Sequence, residues 1–270
     1  MPELPEVETT RRGIERLAVG QTVARVTVRD PRLRWRVPAK LLKELPGQRI
    51  QSVARRGKYL LLETAAGTVV VHLGMSGSLR VTPCAQSPGK FDHVDIALEN
   101  GDCLRLRDPR RFGAVLWAKE PGRHKLLAHL GPEPLGADFD GGYLFRRTRR
   151  RRRAIRDFLL DGRMVAGIGN IYANEALFAA GIRPTCAAGR ISRDRCERLV
   201  RAIRATLKRA IKAGGTTLRD FRNGRGEPGY FQLKLRVYGR TGEPCPACKT
   251  PIRTVRLGQR TAFFCPKCQL

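Results

Sequence analysis

Between Thr22 and about Trp117 the apolar residues come in short runs: Val23–Val28, Ile50–Ala54, Tyr59–Glu63, Thr68–His72, Val94–Leu98 and Ala114–Trp117. Gly57, Ala66–Gly67 and Asn100–Gly101 punctuate them, and Pro83–Gly89 reads as a loop. Many short β-type runs separated by turn residues predict an antiparallel β-sandwich. The first twenty residues carry a different period. Val7, Ile14, Leu17 and Ala18 form a partial apolar stripe, and Pro5 suits a first helical turn, where its missing N–H costs nothing. Glu6 and Glu8 favour the N-terminal end of that helix, and Gly20 is its stop.

Pro121–Gly142 is rich in Pro and Gly and reads as a connector, with a short helix over about His124–Leu130. Beyond it the pattern becomes helical. Arg146–Arg153 is nearly all Arg and runs directly into the periodic set Ala154, Ile155, Phe158 and Leu159, which predicts a helix entering a polyanion-facing surface. A solvated helix face or a disordered tail is the alternative. Ser192 is a good N-cap for a helix reaching Ala213. Its apolar face is Cys196, Leu199, Val200, Ile203, Leu207 and Ile211, its opposite face Arg198, Arg201, Arg204 and Lys208, and Gly214–Gly215 ends it. Arg219–Tyr230 is polar and Gly-rich and reads as a loop.

Charge narrows the partner. The 53 Lys and Arg face 24 Asp and Glu, a net charge of +29. Such a chain repels itself unless a polyanion is near, and nucleic acid leads over an anionic membrane surface or the ribosome. No apolar run approaches the roughly 20 residues of a membrane span. The acidic, polar start, Met1–Arg12, is not a signal peptide, which points to the cytoplasm and the nucleoid within it.

Cys84, Cys103, Cys186 and Cys196 stand singly, as small buried apolar residues do. Cys245, Cys248, Cys265 and Cys268 form two C-x2-C pairs. Each pair lets two thiolates of one tight turn reach one metal, and two such turns close a tetrahedral zinc site with no open position, so the zinc is structural. Two disulfides or a redox pair compete with that reading. Arg253, Arg256 and Arg260 lie between the pairs and load a hairpin with phosphate-seeking groups.

Pro2 follows Met1, and a small second residue permits removal of the initiator Met. The amine then exposed is secondary, and since an unperturbed α-amino group titrates at about pH 8, a useful fraction of such an amine is nucleophilic at neutral pH. Condensed with a sugar aldehyde it gives an iminium with no N–H to lose, a permanent electron sink suited to elimination. Glu3 beside it and Glu6 one turn on could protonate a departing base or sugar oxygen. Read from the residues alone, the same acids equally serve a helix N-terminus.

Six segments, in order across the whole chain, carry a resemblance. They are P-E-L-P-E-V-E-T at Pro2–Thr9, G-K-Y-L at Gly57–Leu60, H-L-G-M-S-G at His72–Gly77, D-P-R-R-F-G at Asp108–Gly113, G-I-G-N-I-Y-A at Gly167–Ala173, and the cysteine segment ending F-F-C-P-K-C. Together they resemble the formamidopyrimidine-DNA glycosylase family, and the start P-E-L-P resembles its purine-lesion branch rather than the related pyrimidine-lesion endonucleases. The resemblance implies a bifunctional glycosylase and abasic-site lyase of base-excision repair. It would remove 8-oxoguanine and formamidopyrimidines through a Pro2 Schiff base and then cut by β,δ-elimination. Glu3 would be the proton donor, Glu6 its support in the pocket, Lys58 a phosphate contact that assists β-elimination, and Arg260 the zinc-finger Arg that assists δ-elimination. Met75, Arg110 and Phe112 would fill the hole left by a flipped nucleotide. Arg151, Arg156 and Asn170 would contact DNA, and Thr216–Tyr230 would close over the everted base. Two positions depart from the pattern: Arg156 replaces a usual Lys, and Phe91 replaces a frequent phosphate-contacting His.

The implied architecture is an α+β multidomain chain: an N-terminal antiparallel β-sandwich with an N-terminal helix (1–120), a connector (121–142), a helical helix–two-turns–helix domain with the lesion-capping loop (143–228), and a C-terminal zinc-finger β-hairpin (229–270). The implied cofactor is one structural Zn2+, and the implied partner is double-stranded DNA with oxidised bases or abasic sites, bound by a monomer with no membrane attachment. A pyrimidine-preferring relative and a non-catalytic nucleic-acid-binding zinc protein are the competing readings. The joint presence of Pro2, Glu3, Lys58 and Arg260 weighs against the latter.

Overall fold

In the computed structural model of the protein, residues 2–215 and 235–270 are described. Met1 and the Thr216–Tyr230 loop expected to cover a base lie outside the described residues.

The N-terminal period folds as expected. Helix α1 (Leu4–Ala18) buries Leu4, Val7, Thr10, Ile14 and Ala18. The six short runs become strands, and with two more, Ser78–Pro83 and Asp102–Arg107, they make eight strands in two antiparallel sheets. One has the order β1 (Val23–Val28), β6 (Asp92–Leu98), β7 (Asp102–Arg107), β5 (Ser78–Pro83). The other has the order β2 (Ser52–Arg56), β3 (Tyr59–Glu63), β4 (Thr68–His72), β8 (Ala114–Ala118). Val26, Leu79, Ile96 and Leu104 of the first sheet share one core with Val53, Leu62, Val69 and Val115 of the second and with Val7 and Ile14 of α1, which makes the sandwich. A short helix, α2 (Ala39–Glu44), adds Leu41 to it.

The sequence pattern missed β5 and β7. In β7 the cause is Arg105, 2% exposed in mid-strand, which breaks the apolar run. Its charge is met by its cross-strand partner Asp95, at 2.9 Å from both Nε and Nη2. The carboxylate is held below its ordinary pKa: burial pushes it up, but hydrogen bonds from Arg29 and Arg105 outweigh that.

Packing divides the chain into two units, Met1–Ala128 with Ile211–Gln232, and His129–Ala210 with Leu233–Leu270. The second contains α3 (Gly141–Thr148), α4 (Ile155–Leu160), α5 (Asn170–Ala179) and most of α6 (Arg193–Lys212), together with the hairpin β9 (Arg253–Leu257) and β10 (Arg260–Phe264). Ser192 caps α6, its Oγ accepting from the Arg195 N–H at 3.3 Å. Cys196, Leu199, Val200, Ile203 and Leu207 are buried as the period required.

Three local expectations need correction. His124–Leu130 forms turns closed by Leu127 and Ala128 N–H bonds to the His124 carbonyl, not a helix. Gly131 and Pro132 follow at once, and a residue without a side chain before one without an N–H leaves the turns nothing to continue into. The Arg-rich stretch is not one helix: α3 stops at Thr148, Arg150 has φ +59°, and α4 starts afresh at Ile155. Arg149 closes α3 by donating to the Phe145 and Ile191 carbonyls while lying over the Phe145 ring at 4.0 Å. Arg204, expected on an outer face, instead donates to the carbonyls of Gly136 at 2.7 Å and Phe139 at 2.8 Å.

Candidate active site and nucleic-acid interface

Glu3 is the N-cap of α1, and Glu6 is its third helical residue. Their positions build a reciprocal capping box: the Glu3 side chain accepts the Glu6 N–H, and the Glu6 carboxylate accepts the Glu3 N–H at 2.9 Å. Glu3 is 2% exposed and Glu6 fully buried, and Pro2 is buried beside them. A secondary-amine candidate and two fixed carboxyls therefore share one helix terminus. The box accounts for Glu6, a usual N3 residue, whereas a long acid at the N-cap position of Glu3 is not what capping alone would choose.

Lys58 sits with Gly57 in the two-residue turn between β2 and β3. Gly57 has φ +57°, as the first turn residue of a type II′ hairpin requires. Opposite on β4, His72 packs against Tyr59 with ring centroids 4.9 Å apart. Burial, with the Lys58 and Arg34 charges nearby, pushes the His72 imidazole down to about 4. It is neutral at neutral pH, and its Nδ1 accepts the Gly74 N–H at 3.0 Å.

Met75, Arg110 and Phe112 come together. Gly74 (φ +65°) lies so close to the Phe112–Gly113 backbone that an added Cβ would stand 2.4 Å from the Phe112 carbonyl carbon. The two loops are tied by Asp108, 0% exposed, whose carboxylate accepts from Gly113 N at 2.7 Å, Arg110 N at 3.3 Å and Ser76 Oγ at 3.3 Å. Held this way, Met75 and Phe112 remain 41% and 44% exposed, and Arg110 lies over the Phe112 ring at 5.0 Å. Large apolar residues left in water on a rigid double loop are a ready wedge. The sequence marked Arg110 and Phe112 but gave Asp108, in the same motif, no task. At the departure Phe91 the ring carries two cations, Arg107 at 5.3 Å and Lys90 at 5.8 Å.

In the second unit the four Sγ atoms of Cys245, Cys248, Cys265 and Cys268 lie within 4.8 Å of one another. Cys248–Cys265 is 3.4 Å and Cys245–Cys268 is 3.9 Å. Tetrahedral Zn–S bonds of about 2.3 Å place sulfurs about 3.8 Å apart, and a disulfide needs about 2.05 Å, so the cluster fits a metal and not two bridges. The crowded sulfurs push the Cys268 thiol up to about 12, chiefly through its hydrogen bond with Cys248. Four thiolates coexist there only around a cation. Buried Gln269 fastens the second knuckle, accepting Cys265 N at 2.9 Å and donating to the Ile182 carbonyl at 2.8 Å.

Asn170, the first residue of α5, donates to the Thr261 carbonyl at 3.0 Å, and buried Asn174 accepts Phe263 N at 2.8 Å. Glu175, 1% exposed, gathers the N–H groups of Arg236, Val237 and Tyr238 at 2.9–3.1 Å. Asn174 and Glu175 were invisible in sequence because a polar residue inside an apolar helix looks like any surface position, and Gln269, in the coil after the last Cys pair, looks like any terminal polar residue. Arg260 opens β10 and is exposed. Arg156, expected to touch DNA, is 1% exposed and donates instead to the Leu257 and Arg260 carbonyls. Arg151 is exposed on the loop after α3, where Arg147, Arg150, Arg152, Arg153 and Arg163 line the same cavity of about 650 Å³. Among the described residues no helix is long and apolar enough to cross a membrane.

Three family models match the chain: the formamidopyrimidine-DNA glycosylase N-terminal domain over residues 1–115, the corresponding H2TH domain over 130–222, and a zinc finger found in FPG and IleRS over 242–270. The chain is 59% identical over 269 residues to the formamidopyrimidine-DNA glycosylase of Stutzerimonas stutzeri, covering all of both. The crystal structure of the MutM (Fpg) protein from Thermus thermophilus is similar with a TM-score of 0.88 at 41% identity, over 99% of this chain and 98% of that one. The Lactococcus lactis Fpg in complex with Fapy-dG-containing DNA is similar with a TM-score of 0.89 at 34% identity, over 99% of both chains.

Proposed function

The chain belongs to the formamidopyrimidine-DNA glycosylase family, and from that premise we propose that it excises oxidised purines from double-stranded DNA and then cuts the strand at the abasic site. The observation that carries the reading is the α1 terminus, where Pro2 is followed by two buried carboxyls locked in a capping box.

Once Met1 is removed, the Pro2 nitrogen attacks the sugar carbon that bears the lesion. The base leaves, and Glu3 protonates the base or the opening sugar oxygen, with Glu6 holding the Glu3 backbone in place. The resulting iminium draws electrons from the sugar. Loss of the C2′ proton expels the 3′ phosphate, assisted by Lys58, and loss of the C4′ proton expels the 5′ phosphate, assisted by Arg260. Neither step passes through the metal. Zinc, held by Cys245, Cys248, Cys265 and Cys268, supplies structure: it fixes the knuckles from which the hairpin projects.

A lesion inside the stack is out of reach, so the nucleotide is flipped, and Met75, Arg110 and Phe112 enter the gap it leaves. Asn170 and Arg151 hold phosphates, and the Thr216–Tyr230 loop covers the everted base. Functionally the chain divides into 1–120, 121–142, 143–228 and 229–270. It works as a monomer in the cytoplasm, associated with the nucleoid.

The test is borohydride trapping on a duplex with one 8-oxoguanine opposite cytosine. Processed wild type should give a covalent adduct and strand cleavage, Pro2→Gly, which keeps only a primary amine, much less of both, and Met1-retained protein, whose Pro2 nitrogen is an amide, neither. Tight DNA binding by verified Pro2-terminal protein without an adduct would refute the lyase assignment for this lesion, and a pyrimidine-lesion panel would then separate altered specificity from binding alone.

A further inference from the structure

Arg156 lies at the N-terminus of α4, and its guanidinium has almost no surface to offer a ligand, being 1% exposed. One nitrogen, Nη2, donates both to the Arg260 carbonyl at 2.9 Å and to the Leu257 carbonyl at 3.1 Å. Leu257 and Arg260 are the last cross-strand pair of the hairpin, on either side of the Gly258–Gln259 turn. A single planar group thus spans the base of the turn. The other terminal nitrogen pairs with Asp157 at 3.2 Å, while Nε has no partner among the described residues. A buried cation with a donor left over is an expensive way to fill space, and an apolar residue of similar volume would often cost less. The arrangement makes sense if the two carbonyl contacts are what the position is for.

The neighbouring contacts run along the same strand. Asn170 takes the Thr261 carbonyl and Asn174 the Phe263 N–H, so β10 is fastened nearly residue by residue, with Arg156 at the tip. We propose that Arg156 is a positioning residue for Arg260: by holding the backbone on both sides of the turn, it fixes the direction in which the exposed Arg260 side chain leaves the hairpin. The inference rests on the reading that Arg260 serves the second elimination. It assigns Arg156 no direct DNA contact. A Lys at this position keeps the charge but ends about one bond short of Nη2 and lacks the fork, so it restores the contact only in part.

The experiment uses the full-length, zinc-loaded protein on a duplex with a preformed abasic site. It reads the ratio of δ- to β-elimination product, the borohydride-trapped adduct, and zinc per chain, for wild type, Arg156→Met, Arg156→Lys and Arg260→Ala. Arg156→Met should keep its zinc and trap within about twofold of wild type, yet lose about fivefold or more in the δ:β ratio, approaching Arg260→Ala, with Arg156→Lys in between. An unchanged ratio in zinc-loaded Arg156→Met would overturn the inference. So would loss of zinc and of adduct together with no selective change in the ratio, which marks a residue needed only for folding. If Arg260→Ala itself matched wild type in the ratio while wild type still trapped, the role of Arg260 would fail and the inference with it. Absence of trapping by wild type would instead refute the glycosylase/lyase reading as a whole.

Discussion

Replacing Asp108 by Ala tests how the double loop of Met75 and Phe112 is held. The carboxylate is 0% exposed and accepts three hydrogen bonds. The 2.7 Å bond from Gly113 N falls in the charge-assisted range and is worth roughly 1.5–3 kcal/mol. Those from Arg110 N and Ser76 Oγ, both 3.3 Å, contribute about 0.5 kcal/mol each. Removing the acceptor leaves the buried Gly113 N–H with no partner, while relief from burying a charge offsets part of the loss. The expected net cost is about 2–4 kcal/mol for Asp108→Ala. Asp108→Asn should cost about 1–2 kcal/mol, since its amide oxygen can still face Gly113 and the Ser76 hydroxyl can turn to accept. Both tryptophans, Trp35 and Trp117, lie in the sandwich unit, so their fluorescence in urea reports that unit's stability. The second readout is discrimination between lesion and undamaged duplex. On the proposed role of Met75 and Phe112 in the gap left by the flipped nucleotide, it should fall more than binding to undamaged DNA, because these two side chains lose their aim while the proposed phosphate contacts are untouched. Stability within about 0.5 kcal/mol of wild type together with intact discrimination would refute the reasoning.

Further outcomes follow from other parts of the structure. His72 is depressed to about 4 from an ordinary 6.5, so between those values the unfolded chain binds a proton that the folded chain refuses. Sandwich stability should therefore fall as pH drops through that window, by about 2 kcal/mol after allowing for partial exposure of the ring, and His72→Gln should flatten the slope in urea titrations at pH 7, 5.5 and 4.5. Gly74→Ala should lower stability by about 3 kcal/mol or more, because its φ is +65° and the new Cβ meets backbone at 2.4 Å; Gly101→Ala, at φ +89° with nothing within 4 Å, should lose only about 1 kcal/mol, and equal melting temperatures would contradict the packing argument. Native mass spectrometry should find one Zn2+ per chain and none in Cys265→Ser, with DNA affinity falling in step; a metal-free wild type with full affinity would refute the structural role.

Much was legible because it is local. The stripe of α1, most of the sandwich strands, the Ser192 cap and the paired C-x2-C turns each depend on residues a few positions apart, where side-chain period and turn chemistry act directly. The same locality set the limits. β7 was missed because Arg105 interrupts its run, and only pairing with β6 supplies the Asp95 that makes a buried Arg tolerable. Sequence placed Arg156 against DNA and Arg204 on an open face; packing turned both inward to carbonyls that the chain brings close from far along its length. Asp108, Asn174, Glu175 and Gln269 share that history, since each takes a partner from far along the chain: Ser76, Phe263, Val237 and Ile182.

The sequence by itself therefore determined most of the elements, the zinc ligands, the polyanionic partner and, through six ordered motifs, the family. Tertiary structure decided which charges are surface and which are mortar. An Arg or Asp has the same chemistry in either place, and only desolvation and the partners that packing supplies tell a hand held out to phosphate from a clamp on the protein's own backbone.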